Sequence, residues 1–294
     1  MHTRLRILLP LIAVSVVVAS AAVACTDGAL LGSGPASSGP ASSGPASSGP
    51  ASSGPTVGDG SRSASADAWG APLFVERFDG KDVDPTNWWV YDKPNAEPFP
   101  RSAARATVAG GALRLTGGFD SAGRDLGAGI ANKMNLRYGR WEARVRVERG
   151  DGYSGVILLW PASGNWPTDG EIDLLEAING NRQGASSFVH NGPRNHVEWH
   201  YLPGDYTQWQ TIAVEWLPRS ITFYLNGVPE WTVTTPAVPG AVNPIPSTSA
   251  MHLALQLDKG CTGAIPCRNS RTPTTVTMYV DQVRIWAAPP RLTG

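Results

Sequence analysis

The sequence predicts an all-β fold, a sandwich of two antiparallel sheets, on three observations. Trp141, Ala143, Val145 and Val147 alternate with Glu142, Arg144, Arg146 and Glu148, the period of a strand with one face buried. Asn226-Gly227, the strongest short hairpin signal, separates Ile221-Thr-Phe-Tyr-Leu from a returning run, Val228 to Val233. After the first 25 residues there is no convincing helical periodicity, and short apolar runs such as Val276 to Trp286 are punctuated by turns in a chain with 33 Gly and 25 Pro.

Along the chain, three parts differ in composition. Residues 1–25 have the layout of a secretory signal, with Arg4 and Arg6 ahead of an apolar run from Ile7 to Val23 that ends at small residues and Cys25. Ala22-Val-Ala-Cys25 resembles a lipobox, in which the thiol is acylated and the upstream peptide removed. The expectation is an exported protein, extracellular or tethered as a lipoprotein to the outer face of the cell membrane. The alternatives are a plain cleaved signal, or an uncleaved anchor whose apolar run falls slightly short of the roughly 20 residues that span a bilayer. Of three cysteines, Cys261 and Cys267 bracket a short loop containing Gly and Pro and can pair in an oxidising compartment, which leaves Cys25 as the odd thiol.

Residues 26–66 form the second part. Four tandem copies of Ala-Ser-Ser-Gly-Pro fill residues 36–55, a composition that cannot bury enough apolar surface to offset its ordering entropy. A flexible spacer of about 40 residues has an r.m.s. span of roughly 35 Å, enough to lift a domain off a membrane. The third part, residues 67–294, is long enough for one β domain with a sizeable core.

Glu171-Ile-Asp-Leu-Leu-Glu176 places three carboxylates in a stretch that otherwise reads as a buried strand, too short and turn-bounded for a helix. Glu171 and Asp173 share a face by alternation, but strict alternation sends Glu176 into the core, at a cost of several kcal/mol. A one-residue β-bulge between Asp173 and Glu176 removes the conflict and lines all three on one surface. Two carboxyl groups roughly 5 to 5.5 Å apart, one ionised and one protonated, are what retaining glycosidic cleavage needs, and crowding of like charges raises at least one pKa. The bland alternative is acidic alternation on an ordinary solvent-facing strand. Trp160 and Trp166, just upstream, offer flat faces for a sugar ring, and each taken alone reads equally well as core.

Tyr138-Gly-Arg-Trp-Glu-Ala-Arg-Val-Arg146, the Trp160-Pro to Trp166-Pro segment, Gly170-Glu-Ile-Asp-Leu-Leu-Glu176, Trp209-Gln-Thr-Ile-Ala-Val-Glu-Trp216, Ile221-Thr-Phe-Tyr-Leu-Asn-Gly227 and Tyr279-Val-Asp-Gln-Val-Arg-Ile-Trp286 resemble, in order, the motifs of glycoside hydrolase family 16. The bulged E-x-D-x-x-E spacing is similar to the laminarinase-like branch. The resemblance implies a β-jelly-roll with a concave substrate cleft. It also implies Glu171 as nucleophile, Asp173 as its assistant and Glu176 as general acid/base. A structural calcium at Glu76, the Gly111 carbonyl and Asp281 is implied as an option, with no cofactor needed for catalysis. Met251 to Asp258 and Asn95 to Arg101 depart from the laminarinase pattern.

The functional expectation is a retaining endo-glycosidase acting on β-1,3-glucan. Trp160 and Trp166 are candidates for stacking, and Arg101, His190 and Gln256 for polar contacts. Alternatives are a transglycosylase, a hydrolase of another wall polysaccharide such as a galactan, and a non-catalytic glucan-binding module. Lys plus Arg equals Asp plus Glu at 24 each, so no basic field exists to hold nucleic acid, and a neutral polysaccharide is the consistent partner. Membrane contact is expected only through the lipid, and the domain is expected to be a monomer. No pair of the five histidines has zinc-ligand spacing with an acid.

Overall fold

The computed structural model describes residues 69–293. The export segment, Cys25 and the linker 26–66 therefore lie outside the described residues. The first strands are β1 (Phe74–Glu76), β2 (Trp88–Val90), β3 (Ala106–Val108), β4 (Leu113–Phe119), β5 (Asp125–Leu126), β6 (Ala128–Asn132), β7 (Gly139–Val147) and β8 (Tyr153–Pro161). They are followed by β9 (Glu171–Ala177), β10 (Gly184–Asn191), β11 (His196–Pro203), β12 (Gln210–Leu217), β13 (Ser220–Leu225), β14 (Val228–Thr234), β15 (Met251–Lys259) and β16 (Thr275–Ala287). Among the described residues, helix is limited to a 3₁₀ turn at Ala103–Arg105 and one turn at Pro290–Thr293.

These strands form the predicted jelly-roll sandwich. One sheet has nine strands, ordered β14-β13-β12-β7-β16-β4-β3 with β1 and β5 paired at its margins; the other has seven, ordered β11-β10-β9-β8-β15-β6-β2. Every strand pairing is antiparallel. Trp141, Ala143, Val145 and Val147 from the larger sheet meet Ile157, Leu159, Ile172, Leu174 and Leu175 from the smaller one in the main core. Burial of such apolar surface contributes about 25 cal/mol per Å², which makes this layer the main stabilising element.

The Asn226-Gly227 hairpin is present, with φ of 52° and 82° at the two turn residues, as a tight turn of the twisted-strand type requires. Cys261 and Cys267 are disulfide-bonded. The polar face of β7 departs from simple alternation, because Arg140 and Glu142 are buried. Arg140 lies over the rings of Tyr224 and Trp286, and Glu142 faces Arg284 of β16; Trp69 donates its indole N–H to Glu215 at 2.8 Å, and Trp286 donates to the Gly70 carbonyl. Arg140 meets both Glu142 and Glu215, so the buried charges are paired.

Candidate active site

The bulge falls at Leu174. Against β8, Asp173 opposes Leu158 and Leu175 opposes Ile157, which leaves Leu174 without a cross-strand partner. Both leucines enter the main core, so the chain between Asp173 and Glu176 turns its apolar residues inward and returns Glu176 to the other face. A hydroxyl from the neighbouring strand fixes this irregularity: Ser187 Oγ donates to the Leu174 carbonyl at 2.8 Å. At the start of β9, Gly170 has φ +80° and lies so close to the His190 carbonyl that a Cβ would stand 2.7 Å from it. Past the other end, buried Arg182 donates to the carbonyls of Ala177, Asn179, Glu148 and Gly150, which pins the loop beside Glu176.

Residues directly opposed in an antiparallel sheet share a face, so the register defines which side chains surround the acids. Val156, Leu158 and Trp160 of β8 form an apolar cluster there with Ala131, Ala254, Phe99 and Ile265, on the side of the seven-stranded sheet turned away from the main core. Asp173 and Glu176 sit opposite Leu158 and Val156, and His190 sits opposite Glu171. Glu171, Asp173 and Glu176 are 2%, 1% and 6% exposed, and Glu171 Oε1, Asp173 Oδ1 and Glu176 Oε2 carry no hydrogen bond. Carboxyl, carboxyl and imidazole atoms of Glu171, Asp173 and His190 lie within 4.8 Å of one another.

Burial pushes the Glu171 carboxyl up to about 8, with the charge of Glu176 adding to the rise. Glu176 is also pushed to about 8, first by burial and then by Asp258. Asp173 is raised by burial and by both glutamates. Only Glu171 has influences in the opposite direction, from the Trp166 indole and from Asp173. These two influences favour the ionised form at Glu171, whereas every influence on Asp173 and Glu176 favours the protonated form. Burial lowers His190, which favours its neutral imidazole. With Nδ1 donating to Asn195 Oδ1 at 2.9 Å, Nε2 is left an acceptor 3.5 Å from Asp173 Oδ2, which suits an Asp173 that holds a proton.

The expected substrate contacts divide. Trp160 is 4% exposed because Trp166 stacks over it, with ring centroids 6.4 Å apart and planes 11° from parallel. Trp166 is the half-buried member that faces His190. Gln256 lies opposite Val156, in the same row as Glu176. Arg101 is under the surface, paired with Asp258 at 2.6 Å and held between the rings of Tyr91 and Phe99. Its guanidinium braces the floor from Asp258. Asp258, Ser187 and Asn195 carried no sequence signal, because the first two act across strands and Asn195 acts from the turn that follows β10.

At the opposite sheet, Glu76 accepts from the amides of Arg77 and Phe78 and from the Trp88 indole, and Asp281 pairs with Arg144. Gly111 lies in the turn before Leu113, which opposes Val280. Asp281 Oδ1 is buried without a hydrogen bond, but a cation there would have to compete with Arg144.

The family model for glycosyl hydrolases family 16 matches residues 103–284. Among curated proteins, the chain is 27% identical over 188 residues to a beta-glucanase of Rhodothermus marinus, covering 56% of this chain and 65% of that protein. It is 28% identical over 169 residues to a keratan-sulfate endo-1,4-beta-galactosidase of Sphingobacterium multivorum, covering 53% and 38%. The matched segment thus spans less than two thirds of either relative. Among solved structures, the laminarinase catalytic domain of Thermotoga maritima superposes with a TM-score of 0.64 at 19% identity, covering 74% of this chain and 98% of that one, which bears on the fold alone. On the family match, this chain belongs to the glycosyl hydrolases of family 16.

Proposed function

We propose that the domain is a retaining endo-glycosidase that cleaves β-linked polysaccharide, with β-1,3-glucan as its substrate. One observation carries this reading: the bulge at Leu174 gathers Glu171, Asp173 and Glu176, all buried and all raised in pKa, on one face of one strand. The bulged spacing, which resembles the laminarinase-like branch, supports the choice of glucan. Glu171 attacks the anomeric carbon and forms a glycosyl ester as the carbon–oxygen bond to the leaving sugar breaks. Glu176 gives its proton to the departing oxygen. In the second half, Glu176 takes a proton from water, the hydroxide attacks the same carbon, and Glu171 leaves as a carboxylate with net retention. Asp173 holds a proton toward Glu171 and spreads the charge that appears when the ester breaks.

The experiment is a panel of laminarin, mixed-linkage glucan, agarose and arabinogalactan incubated with purified domain, with product sizing. The expected result is a ladder of short oligosaccharides from laminarin. Cleavage of agarose or arabinogalactan alone favours the galactan reading, for which the galactosidase likeness is the specific support. Longer products than the starting oligosaccharide indicate transfer to sugar in place of water.

Export and a lipid anchor at Cys25 belong to the same proposal, supported by Ala22-Val-Ala-Cys25. Cys25→Ser is expected to move the protein from the membrane fraction to the medium or to block its processing. An unchanged membrane fraction contradicts the anchor.

A further inference from the structure

Two large rings stand in the open on the edge strand β11, and the register ties both to the carboxylates. Trp199 is 55% exposed and Tyr201 47%. Trp199 opposes Phe188, which opposes Asp173; Tyr201 opposes Ser186, which opposes Glu176. Because opposed residues share a face, both rings project on the side of the sheet that carries the acids. The alternate residues of β11 confirm the facing: His200 stacks on Trp231 of the other sheet, 5.7 Å between centroids, and buried Leu202 enters the main core. Two strand spacings of about 4.8 Å place the rings roughly 10 Å from the acids.

An aromatic track joins the two places. Trp166 and His190 have centroids 6.1 Å apart, His190 and Phe188 again 6.1 Å, and Phe188 is the direct cross-strand partner of Trp199. Tyr201 is held in place, because its hydroxyl donates to the Gln183 carbonyl and its ring covers Gly184, where a Cβ would stand 1.9 Å from the hydroxyl. A fixed, flat and solvent-facing ring at the rim of a polysaccharide cleft is suited to the apolar face of a pyranose.

We propose that Trp199 and Tyr201 form a distal sugar subsite, a stacking platform for a unit of the same β-glycan whose bond is cleaved at Glu171 and Glu176. The inference rests on the glycosidase reading and extends it. It makes the occupied length of chain at least the distance from the acids to β11, so the site prefers polymers and longer oligosaccharides to disaccharides. Continuity with the catalytic row selects a glycan over a protein partner as the occupant.

Affinity electrophoresis of the full domain in gels containing laminarin, mixed-linkage glucan, agarose or arabinogalactan tests it, with Glu171→Gln as background so that binding is read without turnover. Trp199→Ala and Tyr201→Ala are each expected to weaken retardation by roughly three- to tenfold. Trp199→Phe should recover part of the loss, and Val238→Ala, at an exposed residue outside the track, should change nothing. Unfolding is checked by matched melting curves, and the exposed rings make it an unexpected outcome. If the background protein is retarded and both alanine variants are retarded equally, the platform is wrong and the glycosidase reading stands. If none of the glycans retards the background protein, both fall. Should Trp199→Ala instead alter only the sedimentation of the protein, the rings serve contacts between copies and the platform is overturned.

Discussion

Glu171→Gln is expected to lower turnover on the order of 10⁴-fold or more while leaving the domain folded, because the amide keeps the shape of the side chain and removes the nucleophile. The same substitution should raise stability, and the pH dependence of that gain is the more discriminating result. A carboxyl that titrates near 4.5 in the open chain and near 8 in the fold stabilises the native state only at low pH. That stability is fully present below the unfolded value and is withdrawn as pH rises toward 8. Glu171→Gln never ionises, so its melting temperature should exceed that of the parent by about 3 °C at pH 8 to 9, where the parent must keep a charge in an apolar floor. Toward pH 4 to 5 the two should converge. Melting curves across this range check the sign; a variant less stable than the parent at alkaline pH would mean that the carboxylates are compensated by the fold rather than strained in it.

Deleting Leu174 is the second large effect. The deletion restores plain alternation, so Glu171, Asp173 and the shifted glutamate can still share a face. Three things are lost together: a fully buried side chain in the main core, the carbonyl that receives Ser187 Oγ, and the register of every residue beyond it against β8 and β10. Removal of a buried leucine side chain alone costs about 2 to 5 kcal/mol. The expected outcome is a folded, destabilised domain with activity reduced at least about a hundredfold, since a displacement near 1 Å between catalytic groups has that consequence. Ser187→Ala separates the effects, because it releases the carbonyl and keeps the core. Near-native activity in the deletion would show that the bulge does not set the geometry of the acids.

The bulge was legible in the sequence because its cause is local. Two leucines between Asp173 and Glu176 cannot alternate with carboxylates unless one residue is extra, and burial of an unpaired charge is costly enough to enforce the irregularity. The alternating half of β7 was legible for the same reason. Its polar half was not, since Arg140 and Glu142 are buried among Glu215, Tyr224, Arg284 and Trp286, which lie far away along the chain. Arg101 illustrates the limit in the site itself. A charged residue near the cleft reads as a substrate contact, but Asp258, 157 residues away in sequence, takes its guanidinium into the floor. Trp160 and Trp166 were indistinguishable as sequence; their stacking makes one the buried support and the other the surface. Trp199 and Tyr201 carried no signal at all until the register of β10 against β9 and β11 related them to the acids.

A slow substrate that carries fluorine in place of the sugar 2-hydroxyl and a good leaving group, incubated with the domain and followed by peptide mass spectrometry, reads the nucleophile directly. Fluorine destabilises the positive charge of the second step, so the glycosyl ester accumulates on whichever carboxylate attacks. The expected result is a single glycosyl adduct on the peptide containing Glu171, fragmenting at that residue, and no adduct in Glu171→Gln. An adduct on Asp173 or Glu176, or cleavage of the natural glycan with inversion and no adduct, would contradict it.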